Sequence, residues 1–204
     1  MKHEGSIPPL PLPPSSLGIT LSDEQIGLLE RFEFLLRERA IPSGFVASAD
    51  APRLRERHIW DSLRAAAIIR PDEGTAYDLG SGAGLPGLVV AIACPWLEIA
   101  LVESRRPRVA FLELVLERLL LPNARVLVGR AQDLSTRVDL CLARAFAGAV
   151  ESWRVADPLL VPRGRLVYFA GEGADPSHLP DDLVVSLVTS TLARSGPLVI
   201  MGRQ

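Results

Sequence analysis

The sequence predicts an α/β domain built on a mostly parallel, seven-stranded sheet, with helices on both faces and a helical extension at its N-terminal side. Three observations carry this reading. From Thr75 onward, short apolar runs of strand length alternate with helix-length segments, the pattern of right-handed βαβ units. A glycine-rich turn, Gly80-Ser81-Gly82-Ala83-Gly84-Leu85-Pro86-Gly87, separates the first apolar run from the helix signal after it. An acidic residue, Glu103, closes the second apolar run 23 residues beyond Gly80.

Each element follows from local chemistry. Residues 1–20 contain Pro8, Pro9, Pro11, Pro13 and Pro14 with little charge and read as a flexible tail before one domain over 21–204. The helical extension covers 21–70. Its first helix begins after Ser22, which can form a capping box with Gln25, and Leu28, Phe32, Leu35 and Leu36 recur at helical spacing to about Ala40. Ile41-Pro42-Ser43-Gly44 ends it, and a second helix runs from about Asp50 to Ile69. The core covers 75–204 and reads as strand 75–79, helix 85–94, strand 98–103, helix 107–120, strand 124–128 and strand 138–143. Helix 148–160, strand 165–170 and a final pair of strands, Leu183–Leu192 and Leu198–Met201, complete it.

Composition narrows the class. A chain of 204 residues with 48% apolar content can bury one substantial core. No apolar run approaches the roughly 20 residues of a membrane span, and the N-terminus lacks the order of a signal peptide. Cys94 and Cys141 sit inside apolar runs and read as reduced core residues, so the expected location is cytoplasmic with no membrane partner. A net charge of −2 argues against a generally basic nucleic-acid coat but leaves room for a local arginine patch.

The glycine turn is the main chemical signal. Alternate glycines let the backbone turn sharply and come close to a ligand. A following helix would present free N–H groups there, with Pro86 in its first turn. Two cofactor classes compete. Gly82-x-Gly84-x-x-Gly87 matches the dinucleotide fingerprint, but that register leaves Gly80 unused and sets Asp78 beside a pyrophosphate. S-adenosylmethionine carries no phosphate and has a cationic amino group and sulfonium, and it suits Asp78-x-Gly80-x-Gly82-x-Gly84 better.

Further candidates sit at the ends of later strands. Glu103 is placed to accept ribose hydroxyls, or alternatively to pair with Arg105 or Arg106 as a solvated carboxylate. After the third strand, Gln132 and Asp133, with backbone from Ala131 and Gln132, can pair with an adenine edge; Asp133 can equally cap a helix. Arg144 ends the fourth strand and can clamp a carboxylate or a phosphate, or be an ordinary exposed arginine. In the second helix, Arg53, Arg57, Asp61 and Arg64 share one face and read as a solvated, ion-paired surface with an Arg57–Asp61 pair; His58 reads as structural. No metal-ligand cluster, Ser-His-Asp order or paired-carboxylate motif stands out, so no side chain is assigned to catalysis and no metal is expected.

Arg57-His58-Ile59-x-Asp61-Ser62-Leu63, Asp78-x-Gly80-Ser81-Gly82-Ala83-Gly84-Leu85-Pro86-Gly87 and Arg144-Ala145-Phe146, in that order, resemble the small-subunit ribosomal RNA methyltransferase G family, also called glucose-inhibited division protein B. The likeness spans roughly residues 22–171, and the Gly-Leu-Pro-Gly ending of the loop is its most specific part. It implies a Rossmann-like class I S-adenosylmethionine methyltransferase fold whose last two strands are antiparallel. It further implies methyl transfer to guanine N7 of 16S ribosomal RNA, with that RNA or the small ribosomal subunit as partner. The cofactor-binding set then comprises Gly80, Gly82, Gly84, Leu85, Glu103, Ala131, Gln132 and Arg144, in a protein expected to be a monomer. Three departures fall on the substrate side. Phe45-Val46-Ala47 replaces the family's Asn-Leu-Thr, Ala170-Gly171 replaces a lysine pattern after the fifth strand, and Gly196-Pro197 replaces an Arg-His pair before the last strand. They keep two alternatives open: a methyltransferase of this fold with another substrate, and a non-catalytic ribosome-associated module that binds S-adenosylmethionine.

Overall fold

Alternation along the strands divides the core into two layers. On β2 (Glu98–Glu103), Ile99 and Leu101 point to one face of the sheet, and Ala100 and Val102 to the other. In the computed structural model, which describes residues 15–171, 179–180, 183–189, 192 and 195–204, β2 lies among six further strands. These are β1 (Thr75–Leu79), β3 (Ala124–Val128), β4 (Val138–Arg144), β5 (Leu160–Phe169), β6 (Leu183–Val188) and β7 (Leu198–Arg203). The order is β3-β2-β1-β4-β5-β7-β6. Strands β1 to β5 pair in parallel, whereas β7 runs antiparallel to both β5 and β6. The predicted seven-stranded, mostly parallel sheet is the observed one.

The two faces are covered unequally. Helices α1 (Asp23–Leu35), α2 (Asp61–Ala66), α3 (Gly87–Ala93) and α4 (Arg106–Leu119) pack on the Ile99 and Leu101 face. Among the described residues, α5 (Ala149–Ala156) covers the opposite face through Trp153, Val155 and Ala156. The Ser22–Gln25 capping box is present: the Gln25 N–H donates to Ser22 Oγ at 3.2 Å and the Ser22 N–H to Gln25 Oε1 at 2.9 Å. The same glutamine donates through Nε2 to Ile92 O at 2.9 Å, tying α1 to the last turn of α3. Of the expected tail, residues 1–14 lie outside the described residues, while Ser15–Leu17 form a 3₁₀ turn with Leu17 buried. Cys94 and Cys141 are buried and unbridged, and burial pushes the Cys94 thiol up to about 12. Among the described residues no helix is long and apolar enough to cross a membrane.

Several boundaries differ from expectation, each for a local reason. The second helix is not continuous. A 3₁₀ segment, Ser48–Arg53, holds Pro52, which has no N–H to donate, and a π-helical stretch, Arg55–Trp60, then leads into α2. The helix expected over 148–160 stops at Ala156, because Pro158 turns Asp157–Leu159 into a 3₁₀ turn. Strand β5 starts early, at Leu160, which pairs with Val138 across a register shift between Val138 and Leu140. Strand β6 ends at Val188 rather than Leu192.

A buried carboxylate joins the helical extension to the sheet. Glu73, 1% exposed, accepts from Arg165 Nε at 2.6 Å, Arg165 Nη2 at 2.9 Å and the Arg70 N–H at 2.8 Å, while Arg165 Nη2 also reaches Ile68 O at 2.6 Å. Removing one partner of such a pair leaves the other charge desolvated and unmatched. Glu73→Ala is expected to lower the unfolding free energy by about 3–5 kcal/mol, measured by urea titration.

Candidate cofactor and substrate site

The strand order turns back at β1. Strands β2 and β3 lie on one side of it and β4 and β5 on the other, which opens a crevice beyond the C-terminal ends of β1 and β4. A cavity of about 240 Å³ lies there, lined by Gly80, Glu103, Gly129, Ala131, Gln132 and Phe146 with their neighbours. It combines a carboxylate, backbone polar groups and an aromatic wall.

The glycine loop is held from within. The Ser81 N–H donates to Val102 O at 3.0 Å, Gly82 to Glu103 Oε2 at 3.1 Å, Gly84 to Ser81 O at 2.7 Å, and Gly87 to Asp78 Oδ2 at 3.1 Å. The expected ring of N–H groups turned toward a ligand is therefore corrected at these four positions, which satisfy the protein itself. What the bare glycines supply is space for neighbouring side chains. Gly80 has φ +67°, and a Cβ there would fall 2.7 Å from Phe146 Cδ2. Phe146 reaches this place because Ala145 adopts the left-handed region at φ +51°. Gly84 and Gly87 serve packing: a Cβ on Gly84 would strike Leu88, and one on Gly87 would meet Leu101 Cδ2 at 2.6 Å.

Glu103 is 5% exposed and sits where the ribose acceptor was expected. Its Oε1 accepts the N–H groups of Ser104 and Arg105 at 2.8 and 2.9 Å. Its cationic neighbour is Arg108, with Nη1 at 3.8 Å, rather than the Arg105 or Arg106 side chain. Ala131 and Gln132 line the cavity on a 3₁₀ turn, Ala131–Asp133, and Asp133 does not cap it.

Asp78 departs from its expected role. Its carboxylate is 1% exposed and points beneath the loop to the Gly87 N–H, so it does not face a ligand's cationic group. Burial pushes its pKa up to about 7, against the hydrogen bonds from Ser81 and Gly87 and the charge of Arg144.

Arg144 lies outside the cavity lining, and its guanidinium turns to the helical extension. Nη2 donates to Arg57 O at 2.7 Å, stands 3.1 Å from His58 Nδ1 and 3.4 Å from Asp61 Oδ2, and Nη1 is 3.5 Å from Ser62 Oγ. The Arg144 guanidinium carbon sits 5.7 Å from the Phe169 ring centre. The predicted Arg57–Asp61 pair does not form. Arg57 Nε meets Asp50 Oδ1 at 3.0 Å, and Asp61 Oδ1 meets Arg64 Nη1 at 2.7 Å. Asp61 and Arg64 are buried rather than solvated, because the side chain of Arg144 and the Val188 carbonyl converge on them.

Of the expected set, Gly80, Glu103, Ala131 and Gln132 meet at the cavity. Gly82 and Gly84 shape the loop behind it, and Leu85 packs against the apolar core. Sequence reasoning missed Phe146 and Arg130 as lining residues. Phe146 stood within Arg144-Ala145-Phe146, a motif read for its arginine. Two departures noted in the sequence also meet: the Ala170 N–H donates to Pro197 O at 3.1 Å, and Gly196 lies against the Ala170 and Gly171 carbonyls so closely that a Cβ would collide.

Comparison with known proteins adds a decisive observation. The family model for rRNA small subunit methyltransferase G matches residues 25–181. This chain belongs to that family. Ribosomal RNA small subunit methyltransferase G of Thermobifida fusca is 37% identical over 164 residues, covering 79% of this chain and 69% of that protein. The protein of the same name from Leuconostoc citreum is 30% identical over 185 residues, covering 86% of this chain and 77% of its own. Among solved structures, the O-methyltransferase TomG from Streptomyces achromogenes, in complex with SAM, superposes with a TM-score of 0.60 at 16% identity over 93% of both chains. A SAM-dependent methyltransferase from Aquifex aeolicus gives 0.57 at 15% identity, covering 78% of this chain and 97% of its own. At such identities these two likenesses establish the fold, which is that of Rossmann-like methyltransferases. For this member of the methyltransferase G family, the buried Asp78 makes a pH test available. With a folded pKa of about 7 against 3.8 unfolded, the native state holds an extra proton between those values. Stability is then full below about pH 4 and falls as pH rises to 7, by up to about 1.4 kcal/mol for each pH unit. Asp78→Asn is expected to flatten this decline, compared with the parent by urea unfolding at pH 5 and pH 8.

Proposed function

We propose that this protein transfers the methyl group of S-adenosylmethionine to N7 of a guanine in 16S ribosomal RNA. Membership of the methyltransferase G family supports the reaction, and the single structural observation that supports the cofactor is Glu103 at the cavity beside Gly80. The residues present fit the group. Glu103 is an acceptor for ribose hydroxyls, and Ala131 and Gln132 offer donors and acceptors for an adenine edge. Gly80, bare of a side chain, lets the Phe146 ring close in as an apolar wall of the cavity. Leu85, Gly82 and Gly84 act by holding the loop's shape.

S-adenosylmethionine supplies an electrophilic methyl group on a sulfonium. For that chemistry the chain's task is placement. Guanine N7 has a free lone pair and no proton to lose, so alignment matters more than a general base. Glu103, Ala131 and Gln132, beyond the ends of β2 and β3, would hold the nucleoside part, which would leave the end of β4 to the methionine part. Arg144 ends β4, and its hydrogen-bond partners Arg57 O, His58 and Ser62 lie on the helical extension. It is assigned to the methionine carboxylate.

The substrate side differs from the family pattern at Ala170-Gly171 and Gly196-Pro197, which pack together and bring no cation to that corner. This observation favours a second reading, a methyltransferase of this family with an altered acceptor.

Mapping N7-methylguanine in 16S RNA from a deletion strain and its complement tests the reaction. The modification is expected to vanish and return together; a site methylated in both strains would overturn it. Calorimetric titration is expected to show S-adenosylhomocysteine binding and no NAD or NADP binding. Arg144→Ala is expected to weaken S-adenosylhomocysteine by about 1.5–3 kcal/mol, the worth of a charged hydrogen bond. Unchanged cofactor affinity with a flatter salt dependence of RNA binding would instead place Arg144 on a phosphate.

A further inference from the structure

Arg144 is held by a histidine that the proposed reaction does not itself use. His58 lies in the π-helical stretch Arg55–Trp60, which leads straight into α2. Its Nδ1 stands 3.1 Å from Arg144 Nη2 and its Nε2 stands 3.0 Å from Asp50 Oδ2. An arginine can only donate, so Nδ1 must accept and the ring's one proton must lie on Nε2, toward the carboxylate. The other oxygen of Asp50 is taken by Arg57 Nε at 3.0 Å, which fixes the carboxylate in turn. The Ser62 hydroxyl donates to His58 O at 2.6 Å, so the turn carrying the ring is tied as well.

We propose that His58 is a positioning residue for methyl transfer: as a neutral ring bonded through Nε2–H to Asp50, it accepts from Arg144 through Nδ1 and fixes the guanidinium at the C-terminal end of β4. The inference rests on the assignment of Arg144 to the cofactor's methionine end. It accounts for features that a merely structural histidine leaves unexplained. Arg144 Nη2 donates to both His58 Nδ1 and Arg57 O, so two acceptors from one turn set the rotation of the guanidinium plane. Asp61 supplies a compensating charge at 3.4 Å from the same nitrogen, and the Phe169 ring stands 5.7 Å from the guanidinium carbon.

The arrangement makes Arg144 sensitive to protonation of His58. A second ring proton, on Nδ1, would point at an N–H group and remove the acceptor. The charged and titratable groups around the ring are Arg144 on β4, Arg57 on its own turn, and Asp50 on the preceding 3₁₀ segment, with Asp61 facing Arg144 from α2. Burial and the Arg144 charge together hold the ring's pKa below 6.5, against the support of Asp50 for the charged form. The neutral acceptor therefore persists at pH 6.5 and above, and is lost once pH falls through the ring's lowered pKa.

The experiment compares the full-length parent with His58→Ala and His58→Asn, the latter placing an amide oxygen near the Nδ1 position. Calorimetry with S-adenosylhomocysteine is expected to show roughly tenfold weaker binding for His58→Ala and recovery to near the parent for His58→Asn. Parent affinity is expected to fall more steeply than that of His58→Asn as pH drops through the ring's pKa below 6.5; Asp78 is common to both and drops out of the comparison. Nitrogen-detected NMR on the parent is expected to show an Nε2–H ring that titrates below 6.5, and a higher midpoint in Arg144→Met. An Nδ1–H tautomer, or equal binding by all three proteins across the pH range, would overturn the proposal. If the parent methylates its RNA while His58→Ala does so at the same rate and affinity, this inference fails alone. If the parent binds no S-adenosylhomocysteine, the functional reading fails, and with it the role of His58 in methyl transfer.

Discussion

The site depends on one carboxylate, Glu103. Because β1 and β2 run in parallel with Leu79 opposite Val102, the strand end at Glu103 comes level with the glycine loop. The side chain then bonds three backbone N–H groups, those of Gly82, Ser104 and Arg105. One residue thus ties the loop after β1 to the start of α4 and still stands at the cavity. Three backbone donors thus satisfy a carboxylate that is nearly buried. Its neighbour Asp78 is buried more deeply and has fewer such partners, so its charge is the one that burial penalises. Two acids on adjoining strands accordingly divide the work, with Asp78 bracing α3 from beneath and Glu103 facing the ligand side.

The helical extension is docked on the sheet through Arg144. Arg144 leaves the end of β4 and is received by Arg57 O, His58, Asp61 and Ser62. Glu73 and Arg165 make a second connection between the same two parts at the opposite ends of the strands. Both connections join charged groups in poorly solvated places, where losing one partner costs more than the pair contributes. They therefore favour one docking of extension on sheet over competing ones. The π-helical stretch at Arg55–Trp60 is placed where the Arg57 carbonyl must serve Arg144, in keeping with the tendency of such stretches to occur at functional positions.

The substrate side shows how two separate sequence departures can be one structural event. Ala170-Gly171 and Gly196-Pro197 are far apart in the chain but adjacent at the ends of β5 and β7. Gly196 allows the two backbones to approach without a side chain between them. Where the family pattern has cations this chain has a close-packed backbone contact, while Glu103 and Gln132 stand at the cavity.

Local chemistry determined much of this protein. The Ser22–Gln25 cap, the limits of β1, β2 and β3, and the glycine loop between β1 and α3 were legible, because each follows from residues within a few positions of one another. That Gly80, Glu103, Ala131 and Gln132 come together at one cavity was legible too, since strand ends in a parallel sheet share one edge. Partners remote in sequence were not. Arg57 found Asp50 instead of Asp61 because Pro52 breaks the helix and swings Asp50 onto its face. Asp61 is shared between its neighbour Arg64 and Arg144, the latter 83 positions away along the chain. The orientation of Asp78 depended on the room beneath a bare Gly87, and the wall of the cavity depended on the left-handed Ala145 that turns Phe146 inward. Sequence alone thus determined the layers, the loop and the class of ligand. Tertiary structure decided where each charge finds its partner, because pairing energy depends on distance and desolvation rather than on spacing along the chain.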